Sequence, residues 1–168
     1  GVNMEFIIRK LQKDDSNKRF VELQREYWAH MDKFEKGYSE GLYLESVNDS
    51  NKDNSCYIAT LNGKMIAFAT FYYEKEYFDN KETIIVKDVF VLEEYRFHGI
   101  GSLLVEHIKE YSKKMKIDFL YACVLHGDLQ AIKFFKNLGF KKDSRQSFVM
   151  NVWLIEMSLG KQTSGISI

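Results

Sequence analysis

A glycine-rich turn carries the clearest chemical signal in the sequence. Gly99 and Gly101 stand at the start of a segment with helical spacing, and Arg96 precedes them to give the pattern Arg-x-x-Gly-x-Gly. Glycines at such a position let the backbone approach a ligand without a Cβ in the way. The first N–H groups of a helix have no helical partner and carry partial positive charge, so they attract phosphate groups. The turn therefore predicts a phosphate or pyrophosphate site, although a turn without a ligand accounts for the glycines equally well.

Two other phosphate-binding motifs do not fit this turn. The dinucleotide fingerprint needs a third glycine close to Leu104, and the sequence has none there. A P-loop needs Gly-Lys followed by Ser or Thr, which this turn also lacks. The pattern that remains is the run from Arg96 to Gly101.

The histidines and cysteines indicate no second chemical site. None of the four histidines has a partner at metal-ligand spacing, so we predict no bound metal. Cys56 and Cys123 form neither a metal motif nor a disulfide framework. We interpret both as reduced thiols, and we expect Cys123 to be buried in a strand rather than to act as a nucleophile.

Alternating and helical patterns place the glycine-rich turn between a strand and a helix. A strand rich in β-branched residues, Thr83–Leu92, leads into the turn, and a helix follows from near Gly99 to near Met115. An apolar strand is predicted at Asp118–Leu125. A further helix then begins at Asp128 and ends before Gly139, because aspartate is a favoured N-cap residue and glycine a favoured C′ residue.

The remaining elements complete a mixed sheet. A helix after Ser16 places Phe20, Leu23, Tyr27 and Met31 on one face, and Asn62-Gly63 is typical of a hairpin turn. We expect an α/β fold of the α+β type, with a mixed, mostly antiparallel central sheet of about seven strands and about four helices on both faces. The other expected elements are strands at Phe6–Arg9, Cys56–Leu61, Met65–Tyr73, Phe140–Lys142 and Phe148–Met157, and a helix at Tyr38–Val47.

Length and charge limit the classes of protein that this sequence can encode. The 168 residues suffice for one domain with one core, and we expect residues 1–168 to form it. Basic and acidic residues number 24 each, which argues against a nucleic-acid binder. No apolar run reaches the roughly 20 residues that span a bilayer, so we expect no membrane partner, and the reduced thiols favour the cytoplasm. Gly1–Asn3, before Met4, are interpreted as an expression remnant and residues 160–168 as a flexible tail.

Two segments resemble the GNAT superfamily of N-acetyltransferases. Asp88–Gly101, with the sequence DVFVLEEYRFHGIG, resembles the acyl-CoA-binding segment of that family. Asp128–Phe140 is similar to the later motif of the family, Asn-x-x-Ala-x-x-Phe-Tyr-x-x-x-Gly-Phe. Around Asp88–Ser102 the resemblance is closest to diamine and polyamine acetyltransferases. The two motifs in this order imply the GNAT fold, acetyl-CoA as the acyl donor and an amine as the acceptor.

The resemblance also implies which residues hold acetyl-CoA. The backbone of the strand before the turn would pair with the pantetheine arm, and the amides of the turn would hold the pyrophosphate. The guanidinium of Arg96 would support either the phosphates or the loop. The N-terminus of the later helix and its aromatic residues would complete the site. The residues assigned to the cofactor are Val89, Phe90, Val91, Arg96, Phe97, His98, Gly99, Ile100, Gly101, Ser102, Asp128, Phe134 and Phe135.

The same resemblance implies that a neutral amine attacks the thioester directly. A backbone N–H near Val89 would hold the developing oxyanion, and Asp88 is the predicted base. The sequence departs from the family at Lys87, where polyamine acetyltransferases often carry Glu, and strand alternation places Lys87 and Asp88 on opposite faces.

A second departure concerns the proton donor to the leaving thiolate. The tyrosine that often serves as the acid in this family is Phe135 here, and a phenyl ring cannot donate a proton. Tyr121, Tyr73 and bound water are alternatives, and so is a thiolate that leaves unaided and is protonated by solvent.

The acceptor is expected to be a small cationic amine, such as a polyamine, another small amine or an aminoglycoside. Two alternatives remain open, a non-catalytic acyl-CoA-binding module and an acetyltransferase that acts on protein amines. The expectation of a cationic acceptor depends on acidic residues near the presumed acceptor side, Glu35, Glu40, Glu45, Glu74, Glu76 and Asp79.

A homodimer is expected from the C-terminal region. Its predicted closing strand is more apolar than a half-exposed strand requires, which indicates an interface between two copies. The residues concerned are Phe148, Val149, Met150, Val152, Trp153 and Leu154.

Overall fold

The computed structural model describes residues 5–31, 54–75 and 80–143. These residues form five β-strands and three α-helices, with one 3₁₀ turn at Glu93–Tyr95. In chain order the elements are β1 (Ile7–Lys10), α1 (Asn17–Met31), β2 (Asn54–Leu61), β3 (Lys64–Lys75), β4 (Glu82–Val91), α2 (Ile100–Lys114), β5 (Phe119–Ala122) and α3 (Leu129–Asn137).

The strands form one sheet in the order β1-β2-β3-β4-β5. The first three pairings are antiparallel and β4 pairs with β5 in parallel, so the sheet is mixed and mostly antiparallel, as predicted. The β2–β3 turn is the expected hairpin, because Asn62 and Gly63 both have positive φ (51° and 76°), which suits the right-handed twist of the strands.

Helices cover both faces of the sheet. On one face the Phe68 ring of β3 makes edge contacts with Phe20 and Tyr27 of α1, at centroid separations of 5.4 and 5.7 Å. On the other face Phe71 lies 5.4 Å from the ring of Tyr111 in α2. Because side chains alternate along a strand, residues 68 and 71 point to opposite faces. This double cover explains why β3 is buried without interruption from residue 65 to residue 71.

A β-bulge separates the two halves of β4. Thr70 of β3 pairs with Asp88, whereas the next residue, Phe71, pairs with Val86, so Lys87 is the extra residue on β4. The parallel pairing with β5 covers only residues 83–86 of β4. Beyond the bulge β4 therefore runs on to Val91 without pairing with β5, which ends at Ala122, and a gap lies between this part of β4 and the chain that follows β5.

The predicted strand at Phe140–Lys142 is wrong. Residues 140–142 have no regular structure, because the chain there closes α3. The Gly139 amide donates to the Lys136 carbonyl and the Phe140 amide donates to the Phe135 carbonyl, which is the Schellman arrangement, with Gly139 at φ 90°. The Phe140 ring also packs on Phe135 at 5.2 Å. Its N–H and its side chain are thus committed to the helix end rather than to a sheet.

The described part of the chain therefore matches the predicted class but not the counts of about seven strands and about four helices. The expected helix at Tyr38–Val47, the expected strand at Phe148–Met157 and the apolar residues that suggested a homodimer all lie outside the described residues. Among the helices that are described, none is long and apolar enough to cross a membrane.

Candidate active site

One cavity of about 580 Å³ occupies the gap between the second half of β4 and residues 123–125, which follow β5. It extends from α1 and β3 at one end to the start of α2 and the inner side of α3 at the other. All the residues that the sequence assigns to the cofactor line this cavity except His98, and so does Asp88. Residues from two motifs that are distant in sequence thus meet in one place.

The glycine-rich turn supplies backbone donors to one end of the cavity. Gly99 is the N-cap of α2 with φ 78°, a left-handed conformation that favours glycine. No described residue accepts a hydrogen bond from the backbone N–H groups of residues 97–102, and the helix end has no side-chain cap. Free N–H groups at a helix N-terminus form an anion site.

Gly101 leaves little room for a side chain between α2 and α3. A Cβ at this position would lie 3.3 Å from Cε2 of the Phe134 ring and 3.8 Å from Cγ1 of Val89. The backbone of α2 therefore approaches α3 and β4 closely at the cavity wall. This close approach is a direct physical reason for glycine here, independent of any ligand.

Arg96 supports the loop. Its Nε donates to the Val91 carbonyl at 2.9 Å, and its guanidinium lies 5.6 Å from the centre of the Phe90 ring. Of the two roles left open by the sequence, this contact favours support of the loop, although Arg96 also lines the cavity.

Phe97 and His98 are both exposed, and of the two Phe97 borders the cavity whereas His98 does not. Phe97 is 94% exposed with φ 64°, and it borders the cavity. His98 is exposed outside the cavity lining, and its Nδ1 lies 2.8 Å from the Arg96 carbonyl oxygen and 3.2 Å from that of Tyr95. The structure therefore does not bring the His98 side chain to the site with the rest of the turn.

Asp128 caps α3 rather than standing free. Its side chain accepts a hydrogen bond from the Ala131 amide at 2.9 Å, and the residue is 8% exposed. The helix it begins places Phe134 and Phe135 on the cavity wall, with their rings 5.0 Å apart. The neighbouring aromatic residues make this wall apolar.

Asp88 is a buried carboxylate in the middle of the cavity wall. It is 5% exposed, Tyr27 of α1 donates a hydrogen bond to its Oδ1, and Thr70 of β3 donates one to its Oδ2 at 2.7 Å. Burial raises the pKa of Asp88 to about 6, and the hydrogen bond from Tyr27 partly opposes this rise. The carboxyl group therefore changes charge just below neutral pH, where a proton acceptor works well.

The backbone of β4 faces the gap beside Asp88. Leu92 donates its amide to the Ile66 carbonyl of β3. Because backbone groups alternate in direction along a strand, the amides of Val89 and Val91 point away from β3 and into the gap. These donors have the orientation needed to pair with an extended ligand or to stabilise a developing oxyanion.

The other end of the cavity is lined by side chains. His30 and Met31 of α1, Tyr72 of β3, Lys87 and Cys123 contribute there. Lys87 is exposed and Asp88 is buried, as alternation predicts, yet both line the cavity.

The expectation that Cys123 is buried in a strand is wrong. β5 ends at Ala122, so Cys123 lies one residue beyond it, exposed at the gap. Partial burial, with the nearby charges of Glu74 and Asp88, raises the pKa of its thiol. The thiol is therefore a poor nucleophile at neutral pH.

Sequence patterns did not reveal the partners of Asp88. Tyr27 is on the predicted core face of α1, and nothing in its spacing connects it with a strand residue far along the chain. Among the described residues no group of His, Cys, Asp and Glu has the arrangement of a metal site.

A family model for the acetyltransferase (GNAT) family matches residues 17–140. A curated relative, an N-acetyltransferase from Methanocaldococcus jannaschii, is 27% identical over 154 residues. The match covers 89% of this chain and 65% of the relative, so the chain spans about two-thirds of that protein's length.

Solved structures share the fold. An aminoglycoside N-acetyltransferase, AAC(6')-Iy, solved in complex with CoA, superposes with a TM-score of 0.74 at 17% identity, covering 89% of this chain and 96% of that one. A ribosomal-protein-alanine N-acetyltransferase from Brucella melitensis gives 0.70 at 16% identity, covering 88% and 99%.

The family match covers more than half of the chain and includes both motifs and every described helix and strand except β1, which does not line the cavity. It confirms the acyltransferase family that the two motifs predicted. This chain belongs to the GNAT family of acetyltransferases.

Proposed function

We propose that this protein transfers an acetyl group from acetyl-CoA to a primary amine of a small cationic acceptor. The observation that carries the proposal is the cavity itself, in which free backbone donors at the α2 end face a buried carboxylate with a pKa near neutrality. Acetyl-CoA carries a pyrophosphate, which free backbone N–H groups can bind, and the amine must lose a proton, which a carboxylate can accept. The reaction therefore needs both groups in one cavity.

The α2 end of the cavity fits the donor substrate. Residues 97–102 offer backbone N–H groups to the pyrophosphate, and the close approach at Gly101 keeps side chains out of that space. The gap-facing amides of Val89 and Val91 suit the amide groups of the pantetheine arm. The apolar wall of Phe134 and Phe135 lies beside this path.

The acceptor end fits an amine that binds between α1, β3 and the end of β5. There the amine nitrogen is held next to the thioester, and this positioning supplies a large part of the rate enhancement. The Val89 N–H donates a hydrogen bond to the acyl oxygen as that oxygen gains negative charge, and Asp88 takes the proton from the amine nitrogen. Glu74, whose charge acts on both Tyr72 and Cys123, adds negative potential at this end.

The cationic nature of the acceptor is supported by Asp88 and Glu74 among the described residues, and Lys87 opposes it. The other acidic residues that motivated this expectation, Glu35, Glu40, Glu45, Glu76 and Asp79, lie outside the described residues. The names of the structural neighbours allow a wider range of acceptors, because one neighbour is an aminoglycoside acetyltransferase and another is a ribosomal-protein-alanine acetyltransferase.

The decisive experiment measures free-thiol release from acetyl-CoA with a panel of amines. The panel contains a polyamine, a simple diamine, an aminoglycoside and a short peptide with a free N-terminal alanine. We expect release with at least one of the small cations. Release with the peptide alone would favour a protein acetyltransferase, and CoA binding without release for any amine would favour a non-catalytic acyl-CoA-binding module.

Phe135→Tyr tests whether the missing phenol limits the reaction. Neither Tyr73 nor Tyr121, the two tyrosines considered as replacement acids for Phe135, lines the cavity. We therefore expect the thiolate to leave without a protein acid, and the variant to change kcat by less than about tenfold, below the usual contribution of an acid group. Steady-state kinetics of thiol release measures this.

Phe140→Tyr is the matched control for that substitution, because it adds the same hydroxyl to a ring that packs on Phe135 outside the cavity lining. If the unaltered protein is inactive with every amine and Phe135→Tyr becomes active, the chain is a degenerate acyl-CoA binder and the proposal is wrong.

A further inference from the structure

Tyr27 and Asp88 both line the cavity, and a hydrogen bond joins the phenol of Tyr27 to the buried carboxylate of Asp88. Two hydroxyl groups donate to this carboxylate, one to each oxygen, from Tyr27 and from Thr70. Tyr27 lines the cavity and Thr70 does not. Of these two hydroxyl groups, the phenol therefore also faces the space where the substrates would meet, and the Thr70 hydroxyl does not.

The phenol is held rigidly in place. Tyr27 is 5% exposed, and its ring makes edge contacts with Phe68 and Phe90 at centroid separations of 5.7 Å each. Phe90 is on β4, two residues beyond Asp88, so the ring is fixed against the same strand that carries the carboxylate. A phenol oxygen that donates its proton to Asp88 keeps lone pairs with which to accept another.

We propose that Tyr27 relays the proton of the attacking amine to Asp88, so that the phenol and the carboxylate act as one proton acceptor. This inference rests on the proposed acetyl transfer and adds a catalytic residue to it. Tyr27 is on α1, which also forms the acceptor wall of the cavity through His30 and Met31.

The step balances as follows. The amine nitrogen forms its bond to the acetyl carbon, and the carbon–sulfur bond breaks with its electron pair on sulfur. The amine proton moves to Tyr27 Oη while the phenol proton moves to Asp88 Oδ1, so Tyr27 is unchanged at the end. The thiolate of CoA takes a proton from solvent, and Asp88 later returns its proton to solvent.

The pH dependence that the relay predicts must be distinguished from the titration of other groups near Asp88. His30 is on α1, Tyr72 and Glu74 are on β3, Lys87 precedes Asp88 on β4, and Cys123 follows β5. Arg96 lines the same cavity. His30 is the one whose ordinary pKa falls in the same range as that of Asp88, so it needs its own variant.

Tyr27→Phe is the test, because it keeps the packed ring and removes only the hydroxyl. The pH dependence of kcat/KM is measured for the best amine of the panel. With a relay, kcat/KM at pH 9 falls at least tenfold, and the inflection from Asp88 moves above pH 6 because the hydrogen bond that lowers its pKa is gone. If Asp88 took the proton directly, the inflection would still move but the rate at pH 9 would be unchanged or higher, since a more basic carboxylate is a better acceptor.

Two comparisons exclude a purely structural effect. Thr70→Val removes the other hydrogen bond to Asp88, so it moves the inflection upward with a much smaller loss at pH 9 than Tyr27→Phe. Tyr57→Phe removes a phenol outside the cavity lining and changes neither the pH of the inflection nor kcat/KM at pH 9. Equal losses of kcat/KM at pH 9 in Tyr27→Phe and Thr70→Val would overturn the proposed relay.

Two measurements do not depend on turnover. Calorimetry with CoA is expected to give the same affinity for Tyr27→Phe as for the unaltered protein. A carbon-13 NMR titration of the Asp88 carboxyl group in the ligand-free protein is expected to show its pKa near 6, and a higher value in Tyr27→Phe. If His30→Gln abolishes the kinetic inflection, that inflection belongs to His30 and the relay is rejected. Inactivity of the unaltered protein with every amine would instead reject the proposed function.

Discussion

Asp88→Asn is expected to lower kcat/KM for the acceptor amine by about 10²–10⁴-fold, the usual contribution of a positioned base. The side chain keeps its size in this substitution but loses the ability to take a proton. The effect is large because a free alkylamine has a pKa near 10.4, which leaves only on the order of one molecule in 2,000 neutral at pH 7. Steady-state kinetics of thiol release measures it.

The pH profile distinguishes Asp88 from solvent as the proton acceptor. Ionisation of the amine makes log kcat/KM rise with a slope of about one up to about pH 10. Protonation of Asp88 adds a second unit of slope below about pH 6, where burial has placed its pKa. Asp88→Asn should remove the break near pH 6 and leave the slope of one. A variant that keeps both the rate and the break would show that Asp88 is not the base.

The same substitution is expected to stabilise the protein above pH 6, which provides a control for folding. The pKa of Asp88 is raised from 3.8 to about 6 in the folded state, so the folded state binds the proton more tightly than the unfolded chain does. Its contribution to stability is thus highest at low pH and is lost as pH rises from about 4 to about 6. Because Asn cannot ionise, the free energy of unfolding of Asp88→Asn relative to the unaltered protein should rise by up to about 3 kcal/mol across that interval.

Thermal or chemical denaturation at pH 4 and pH 8 measures this difference. The comparison between the two proteins cancels the contributions of other carboxylates, such as Asp15, whose pKa is lowered mainly by its hydrogen bond from Arg9. A variant that is inactive, more stable at pH 8 and still able to bind CoA would assign the loss of activity to chemistry alone. A variant destabilised at pH 8 would contradict the burial argument.

Gly101→Val is expected to weaken CoA binding at least tenfold, which corresponds to about 1.4 kcal/mol. The first added carbon would already lie 3.3 Å from the Phe134 ring, and two methyl groups extend beyond it. The helix start must then shift away from α3 and β4, and the backbone donors of the turn shift with it. Isothermal titration calorimetry with CoA measures the affinity directly.

Glu106→Val is the matched control, because it places the same β-branched side chain on an exposed site of α2 away from the cavity. It should cost a few tenths of a kcal/mol in helix stability and leave the affinity for CoA unchanged. A folded Gly101→Val protein that binds CoA as tightly as the unaltered chain would remove the basis for placing the donor at this turn.

Local chemistry explains what could be predicted from the sequence. Positive φ at Asn62 and Gly63, the Asp128 cap and the Gly139 terminus are decided within a few residues, and each was found where expected. The conformation of the glycine-rich turn is also decided within a few residues, because it depends on Gly99 itself. These short-range signals were sufficient to predict most of the residues that line the α2 end of the cavity.

The features that were missed depend on pairing between distant residues. The bulge at Lys87 exists only in the register between β3 and β4, and no residue type marks it. The exposure of Cys123 follows from where β5 separates from β4, and the hydrogen bond of Tyr27 to Asp88 follows from how α1 lies on the sheet. Composition of a single strand or helix contains none of this information.

The two ends of the cavity are built from different kinds of chemical group. At the α2 end the donors are main-chain N–H groups, which every residue except proline carries, so most substitutions leave them in place provided that the glycines remain. At the α1 end the lining consists of side chains such as His30, Met31 and Tyr72, each of which a single codon change replaces. On the proposed function, a substitution at the α1 end can therefore change which acceptor amine binds without altering the main-chain groups proposed to hold the acyl donor.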